Sequence, residues 1–127
     1  MPTVSVIIMT ANRRPLLEKA LRALEAGTRV PDEVVVVNNQ SEDDTAEFLD
    51  KAQFAFALKT IDGPEGSFSE CRNAGVRAAS SDLVAFVDDD CEADPHWLAR
   101  MLDAIERHGW VAAGGAVLPA IQLPSPP

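Results

Sequence analysis

Two short runs of mostly β-branched residues constrain most strongly how this chain can fold. Residues 4–9 read VSVIIM and residues 34–37 read VVVV. Both runs are too short for a helix and too apolar for a strand that has one face in water. Residues 83–87, LVAFV, form another run of this kind. Strands of this type belong to parallel sheets covered on both faces, so the sequence predicts an α/β fold.

Helical patterns lie between these strands. Pro15 suits a first helical turn, and an apolar stripe follows it as far as a closing Gly27. The stripe consists of Leu16, Leu17, Ala20, Leu21 and Leu24. Ser41 and Asp44 resemble a capping box, which predicts a second helix over 43–52 with Phe48 and Leu49 facing inward.

The second half of the chain continues the alternation. Asp94 as a cap and Pro95 in the first turn predict a helix that ends near His108, before Gly109. A helix is also predicted over 67–79, and further strands over 54–61 and 110–117. Alternating strands and helices imply a mostly parallel sheet wound with right-handed crossovers, with helices on both faces.

Composition bounds the size and the partners of the protein. The chain has 127 residues, with 11 Lys and Arg against 20 Asp and Glu, so its formal net charge is −9. This length suits one domain, predicted over 1–118, with the proline-rich residues 119–127 as a tail or linker. The negative charge repels a phosphate backbone, which argues against nucleic acid. No transmembrane segment and no signal peptide are recognised, so a cytoplasmic location is expected.

Cysteines and histidines give no metal or catalytic pattern. Cys71 and Cys91 form no CxxC and have no zinc spacing with His96 and His108, which indicates free thiols. Both histidines border the last predicted helix and not a strand end, so a Ser-His-Asp triad is not supported. Neither GxGxxG nor GxxxxGK[ST] occurs.

Polar residues follow four predicted strands at their carboxyl ends, where open parallel sheets bind ligands. They are Thr10-Ala11-Asn12, Asn38-Asn39-Gln40, Asp62-Gly63 and Asp88-Asp89-Asp90. The three aspartates are the most informative, because carboxylates about 5–6 Å apart repel by roughly 3 kcal/mol per pair at an effective dielectric near 20. A bound Mg²⁺ or Mn²⁺ would offset this repulsion, since both ions prefer carboxylate oxygen.

Two other interpretations of the acidic run are open. One is a solvated acidic turn that caps the next helix, and capping alone explains Asp94. The other is a phosphatase nucleophile of the DxDx[TV] type. That motif fails at Glu92, where Thr or Val is needed, and it belongs after the first strand, so we disfavour it.

Four segments in unbroken order resemble the family 2 glycosyltransferases. They are VSVIIMTANR at 4–13, VVVNNQSEDDT at 35–45, ECRNAG at 70–75 and AFVDDD at 85–90. The resemblance runs from about Thr3 to Trp97 and more loosely to Pro119. It implies the N-terminal, nucleotide-sugar-binding half of a Rossmann-like GT-A fold, in truncated form.

This resemblance implies an inverting, hexosyltransferase-type enzyme that moves a sugar from a nucleoside diphosphate to a glycan or lipid-linked acceptor, as in polysaccharide biosynthesis. A DxD motif would hold Mn²⁺ or Mg²⁺, which neutralises the diphosphate leaving group. Asp90 would ligate the metal directly. Asp88 and Asp89 would complete the motif, with Asp88 as the second metal residue and both contacting ribose or metal-bound water.

The same resemblance implies where the nucleotide would lie. Thr10, Ala11 and Asn12 would line the base pocket, and Asn39 falls where the family usually has an aspartate that accepts the uracil N–H. Arg72 matches a position that reaches toward the nucleotide, although a solvent-facing helical arginine explains it equally well.

The sequence departs from the family pattern at the base pocket. Ala11 replaces a common tyrosine, and Asn38-Asn39-Gln40 replaces Asp-Asp-Gly. An asparagine donates as well as accepts, so Asn39 discriminates less for a ring N–H than a carboxylate does. A UDP-sugar is the first expectation, with GDP or TDP sugars behind it.

The chain also ends at Pro127, where the family continues for about as many residues again. The further half would supply the acceptor surface and the general base, so no catalytic residue is assigned here. The full-length protein could then be peripheral at a membrane, and an exposed sheet edge could drive self-association. The alternative function is a non-catalytic nucleotide-binding or interaction module that has kept the fold without turnover.

Overall fold

A computed structural model describes residues 2–109 and 112–114. Within them, strands and helices alternate strictly along the chain. The elements are β1 (Val4–Thr10), α1 (Arg14–Glu25), β2 (Glu33–Asn38), α2 (Thr45–Lys51), β3 (Ala57–Asp62), α3 (Phe68–Ala78), β4 (Leu83–Phe86) and α4 (Trp97–His108). The strands pair in parallel in the order β3-β2-β1-β4, which confirms the predicted α/β fold with a parallel sheet.

The central strands β1 and β2 are buried on both faces, as predicted. On one face, which we call the three-helix face, their side chains pack against α1, α2 and α4. On the opposite face, the α3 face, Ile7, Val35 and Val37 pack against Cys71 of α3. Because successive residues of a strand point to opposite faces, each of these two strands contributes to both cores.

The outer strands are less buried than the sequence suggested. Val84 and Phe86 of β4 are 40% and 45% exposed, so the prediction of a fully buried fourth strand was wrong. They lie on the α3 face, beside Ser5 and Ile7 in the sheet register, and α3 packs mainly over β1 and β2. β4 also ends at Phe86, one residue earlier than predicted.

The third strand begins later than predicted, at Ala57. The residues before it belong to the core below the sheet: Phe54 and Phe56 stack with ring centroids 4.9 Å apart and join the three-helix face. Burial of two rings outweighs strand propensity at this point, since aromatic side chains contribute most per residue to a core.

The first two helices confirm the predicted positions but not every predicted contact. Pro15 lies in the first turn of α1, while Leu16 is 42% exposed and stands outside the buried stripe. Ser41 does not cap α2. Asp43 accepts the backbone N–H of Thr45 instead, at 3.1 Å.

The last helix also begins later than predicted, at Trp97. Asp94 closes a turn ahead of it, because its carbonyl accepts the N–H of Trp97 at 2.9 Å and its carboxylate accepts the N–H of His96 at 2.8 Å. Gly109, with φ of 65°, ends the helix as predicted.

The predicted strand over 110–117 lies outside the described residues except for 112–114, which have no regular structure. The predicted tail over 119–127 lies outside them as well. Within the described part of the chain, no helix combines the length and the apolar character needed to span a membrane.

Candidate functional site

The sheet order places the strand ends that matter side by side. From β1 the chain moves outward through β2 to β3, and then crosses back so that β4 pairs with the other side of β1. Ligands of open α/β sheets bind in the crevice at such a reversal, beyond the carboxyl ends of the strands. Thr10 ends β1 here, and Asp88-Asp89-Asp90 follow β4.

A cleft of about 300 Å³ opens at this reversal. It is lined by Met9, Thr10, Ala11, Arg13, Asn39, Phe68, Cys71, Asp88, Asp89 and Asp90. The structure therefore brings together six of the residues predicted for the site. A larger depression of about 550 Å³ along α1 is open to solvent and lies away from the strand ends, so we favour the smaller cleft.

Asp89 is the buried member of the acidic run, with 7% of its surface exposed. One carboxylate oxygen accepts the hydroxyl of Thr10 at 2.9 Å, and the other accepts Arg13 Nη1 at 3.3 Å. Both oxygens therefore bond within the protein. These contacts connect the loop after β4 to the end of β1. They also compensate for the free-energy cost of burying the Asp89 carboxylate.

Asp88 and Asp90 are exposed. Asp90 Oδ2 lies 3.6 Å from Arg13 Nη1, and Asp90 Oδ1 accepts the thiol of Cys91 at 3.8 Å. One carboxylate oxygen from each and the Sγ of Cys91 lie within 4.8 Å of one another. Burial raises the pKa of the Cys91 thiol, and the charges of Asp90 and Asp88 raise it further. The thiol therefore keeps its proton at neutral pH, and the cluster offers two carboxylates, which suit a hard divalent ion such as Mg²⁺ or Mn²⁺.

Asn12 connects two loops of the rim and is not among the residues that line the cleft. Its N–H donates to Ser41 Oγ at 3.0 Å, and its side-chain oxygen accepts the N–H of Glu42 at 2.6 Å. Its φ of 55° lies in the left-handed region that asparagine tolerates. Asn39 does line the cleft, and its N–H donates to the carbonyl of Thr10 at 2.8 Å.

Arg72 also lies outside the cleft lining. Its guanidinium carbon stands 5.2 Å from the centroid of the Phe86 ring, a cation–π contact on the exposed side of β4. The histidines His96 and His108 border α4 and do not line the cleft.

Sequence reasoning missed two prominent residues of the cleft, Arg13 and Phe68. Arg13 lies 3.3 Å from Asp89 and 3.6 Å from Asp90, so its charge is shared by two carboxylates. A basic residue directly after a strand-end motif, in a chain with an acidic run at another strand end, was the available signal. For Phe68 the signal was its spacing from Cys71 and Gly75 on the predicted helix.

Comparison with known proteins agrees with this geometry. Residues 5–122 match the sequence pattern of the family described as Glycosyl transferase family 2. The chain belongs to this family. Its parallel sheet with flanking helices is the GT-A fold of these glycosyltransferases, as the resemblance in the sequence implied.

One curated relative and two solved structures illustrate the match. Glycosyltransferase AglE of Haloferax volcanii is 35% identical over 124 residues, which cover 92% of this chain and 40% of that protein. S. aureus TarS in complex with UDP-GlcNAc superposes with a TM-score of 0.72 at 28% identity, covering 84% of this chain and 32% of TarS. Mannosyltransferase PcManGT from Pyrobaculum calidifontis, in complex with GDP-Man and Mn²⁺, gives 0.71 at 27% identity, with 82% and 32% covered.

The chain thus spans less than half the length of the curated relatives it matches.

Proposed function

We propose that this family 2 chain binds the nucleoside diphosphate sugar donor of an inverting glycosyltransferase. The observation that carries the proposal is the pair Asp88 and Asp90, exposed beside a cleft at the reversal of the sheet order. TarS with UDP-GlcNAc and PcManGT with GDP-Man support a nucleotide sugar as the ligand class. We extend the domain over 1–118, followed by a tail over 119–127.

The donor set fits a divalent metal ion. Asp88 and Asp90 would hold Mn²⁺ or Mg²⁺, because both ions prefer carboxylate oxygen to thiol sulfur. The ion, when bound, neutralises the diphosphate and makes the nucleoside diphosphate a better leaving group. The presence of Mn²⁺ in the PcManGT complex supports this choice.

The remaining rim residues hold the loops and contact the nucleotide. Asp89, bonded to Thr10 and Arg13, keeps the acidic loop against β1. Asn39 offers an amide to the edge of the base, and Ala11 contributes to the base pocket. Asn12 holds the loops next to the pocket in place through its hydrogen bonds with Ser41 and Glu42.

Arg72 is a proposed nucleotide contact that requires its side chain to leave the Phe86 ring. UDP is the first candidate for the nucleotide, with GDP and TDP behind it.

The acceptor and the catalytic base belong to the proposal for the whole protein. We assign the general base of catalysis to residues beyond Pro127. The proposed acceptor is a glycan or a lipid-linked sugar, and the group transferred to it is a hexose. We place the protein in the cytoplasm or at the periphery of a membrane. The exposed Val84 and Phe86 of β4 support self-association as a further proposal.

Thermal unfolding with UDP, GDP, TDP and ADP, each with and without Mn²⁺, tests the donor site. A ligand at 100 times its dissociation constant stabilises the folded state by about 2.7 kcal/mol, which corresponds to several degrees in a domain of this size. We expect one nucleotide to raise the Tm only when Mn²⁺ is present. The nucleotide that does so identifies the base.

Variants assign the effect to the acidic pair. Asp90→Asn and Asp88→Asn should abolish the part of the shift that depends on Mn²⁺. Asp50→Asn, which removes an exposed carboxylate from α2, should leave the shift unchanged and is the matched control. A parent protein that melts cooperatively and responds to no nucleotide contradicts the donor-site proposal and favours the non-catalytic module.

A further inference from the structure

A row of three residues along one face of α3 determines which side chain projects over the cleft. Phe68, Cys71 and Gly75 follow one another at spacings of three and four, so they share a face of the helix. Gly75 lies so close to the sheet that a β-carbon there would be 2.6 Å from Ile7 Cγ2 and 3.2 Å from Val37 Cγ2. Cys71, one turn earlier, is 1% exposed within the same core.

Phe68 is the first residue of this row, and it has no sheet beneath it. It begins α3, directly after the N-cap Ser67, whose hydroxyl accepts the N–H of Glu70 at 3.3 Å. Since α3 packs on the sheet through Cys71 and Gly75, the residue one turn before Cys71 projects past the carboxyl ends of the strands. Phe68 is 76% exposed there and lines the cleft.

The residues that line the cleft divide into charged and apolar ones. Asp88, Asp90 and Arg13 are charged, while Met9, Ala11 and Phe68 are apolar. Ala11 presents only a methyl group, so Phe68 provides the one aromatic surface among the residues that line the cleft. A nucleoside diphosphate has the same division, with a charged diphosphate and a flat aromatic base.

We propose that the Phe68 ring is the surface on which the nucleobase of the donor stacks. This inference rests on the proposed function, because it assigns a residue within the same nucleotide site. Stacking accepts every base, since each base has a π-face. Phe68 therefore contributes affinity for the nucleoside, while base identity depends on hydrogen bonds such as those that Asn39 can make.

Titration calorimetry with UDP, GDP, TDP and pyrophosphate, all with Mn²⁺, tests the inference. Pyrophosphate carries the charges and lacks the base. We expect Phe68→Ala to weaken the nucleotide that the parent binds by on the order of tenfold, as stacking on an aromatic side chain does. Phe68→Ala should leave the affinity for pyrophosphate unchanged. Phe68→Trp keeps an aromatic ring and should bind the nucleotide about as the parent does.

Val76→Ala is the matched control, because Val76 is 40% exposed on the same helix and does not line the cleft. It should leave all affinities unchanged. Equal binding of the nucleotide by the parent and Phe68→Ala overturns the inference while leaving the proposed function intact. Equal weakening of nucleotide and pyrophosphate also overturns it, because the effect is then not specific to the base. A parent that binds none of UDP, GDP and TDP overturns the proposed function itself.

Discussion

The two faces of the sheet are built from the same strands but are covered in different ways. The three-helix face buries Val6, Ile8, Val34 and Val36 completely under α1, α2 and α4. Among the described residues, the α3 face has a single helix, and its cover changes along the strands. An apolar core lies only in the middle of that face, where α3 approaches closely.

The amino ends of the strands on the α3 face are closed by polar groups and not by apolar packing. The buried Ser5 hydroxyl donates to Glu33 Oε1 and bonds to Ser81 Oγ, each at 2.8 Å. The N–H of Ser80 donates to the same Glu33 oxygen at 3.0 Å. At the opposite end of this face lies the cleft with Phe68. Within the described part of the chain, the face covered by fewer helices is thus the one that retains room for a ligand.

The largest effect on stability should come from adding a methyl group where α3 lies closest to the sheet. Gly75→Ala puts a methyl group 2.6 Å from Ile7 Cγ2, and we expect a loss of about 1–3 kcal/mol in the free energy of unfolding, as overpacking causes. In an Ile7→Ala background, the added methyl group no longer meets Ile7 Cγ2, and Val37 Cγ2, at 3.2 Å, has only a small distance to yield. There Gly75→Ala should be neutral or stabilising, because alanine is the better helix former by about 1 kcal/mol. Urea denaturation of the four proteins measures the coupling.

Asn73→Ala is the control for helix propensity, since Asn73 is exposed on the same helix. It should stabilise the protein slightly, by less than about 0.7 kcal/mol. If Gly75→Ala proves as harmless in the parent as in the Ile7→Ala background, the close packing of α3 on the sheet is not what limits this face.

A smaller effect should appear at the polar end, as a dependence on pH. Burial acts to raise the pKa of Glu33, but hydrogen bonds from Ser5 and Ser80 outweigh it and lower the pKa below its ordinary value of 4.5. A carboxyl whose pKa is lower in the folded state stabilises the fold above its unfolded pKa. That contribution is lost as the pH falls through the folded pKa.

Glu33→Gln should therefore be less stable than the parent at pH 7, by about 1 kcal/mol for the weakened hydrogen bonds. The difference should shrink between about pH 5 and pH 3, as the parent carboxyl takes up its proton. Glu47→Gln removes an exposed carboxylate that pairs with Lys51 and should change stability little at either pH. A difference that stays constant across this range contradicts a role for the charge of Glu33.

The sequence predicts the three-helix face far better than the α3 face. Continuous apolar runs identify the central strands, because burial on both faces leaves Ser5 as the one polar residue in 4–9 and 34–37. Helical periodicity identifies the α1 stripe. Periodicity does not reveal that Val84 and Phe86 stay exposed, since an apolar run looks the same at the edge of a sheet as at its centre. The distinction depends on how far α3 reaches, which is a tertiary property.

The candidate site, too, is predicted from the sequence in one respect and not in another. Strand-end position brings Thr10, Asn39 and the aspartates to one cleft, because parallel strands all end at the same edge. Which aspartate is bonded inside the protein depends on side-chain partners at and just after the end of β1, and the sequence gives no rule for the Asp89 contacts to Thr10 and Arg13.

The smallest effect should come from the uncovered part of the α3 face, and a matched pair of valines measures it. Val84→Thr replaces a methyl group by a hydroxyl at a position 40% open to water, so its effect on the free energy of unfolding should be within about 0.5 kcal/mol. Val36→Thr makes the same change at a position with no exposure on the three-helix face. It should cost about 1–3 kcal/mol, the penalty of a buried hydroxyl without a partner.

Light scattering of the same two variants separates monomer stability from association. If the exposed side of β4 mediates self-association, Val84→Thr should reduce the scattering of a concentrated solution while leaving the urea midpoint at low concentration unchanged. Val36→Thr should lower the urea midpoint and leave the scattering unchanged, because its hydroxyl is buried within the monomer. If Val84→Thr lowers the midpoint as much as Val36→Thr does, the β4 position is buried in solution and the contrast between the two faces is wrong.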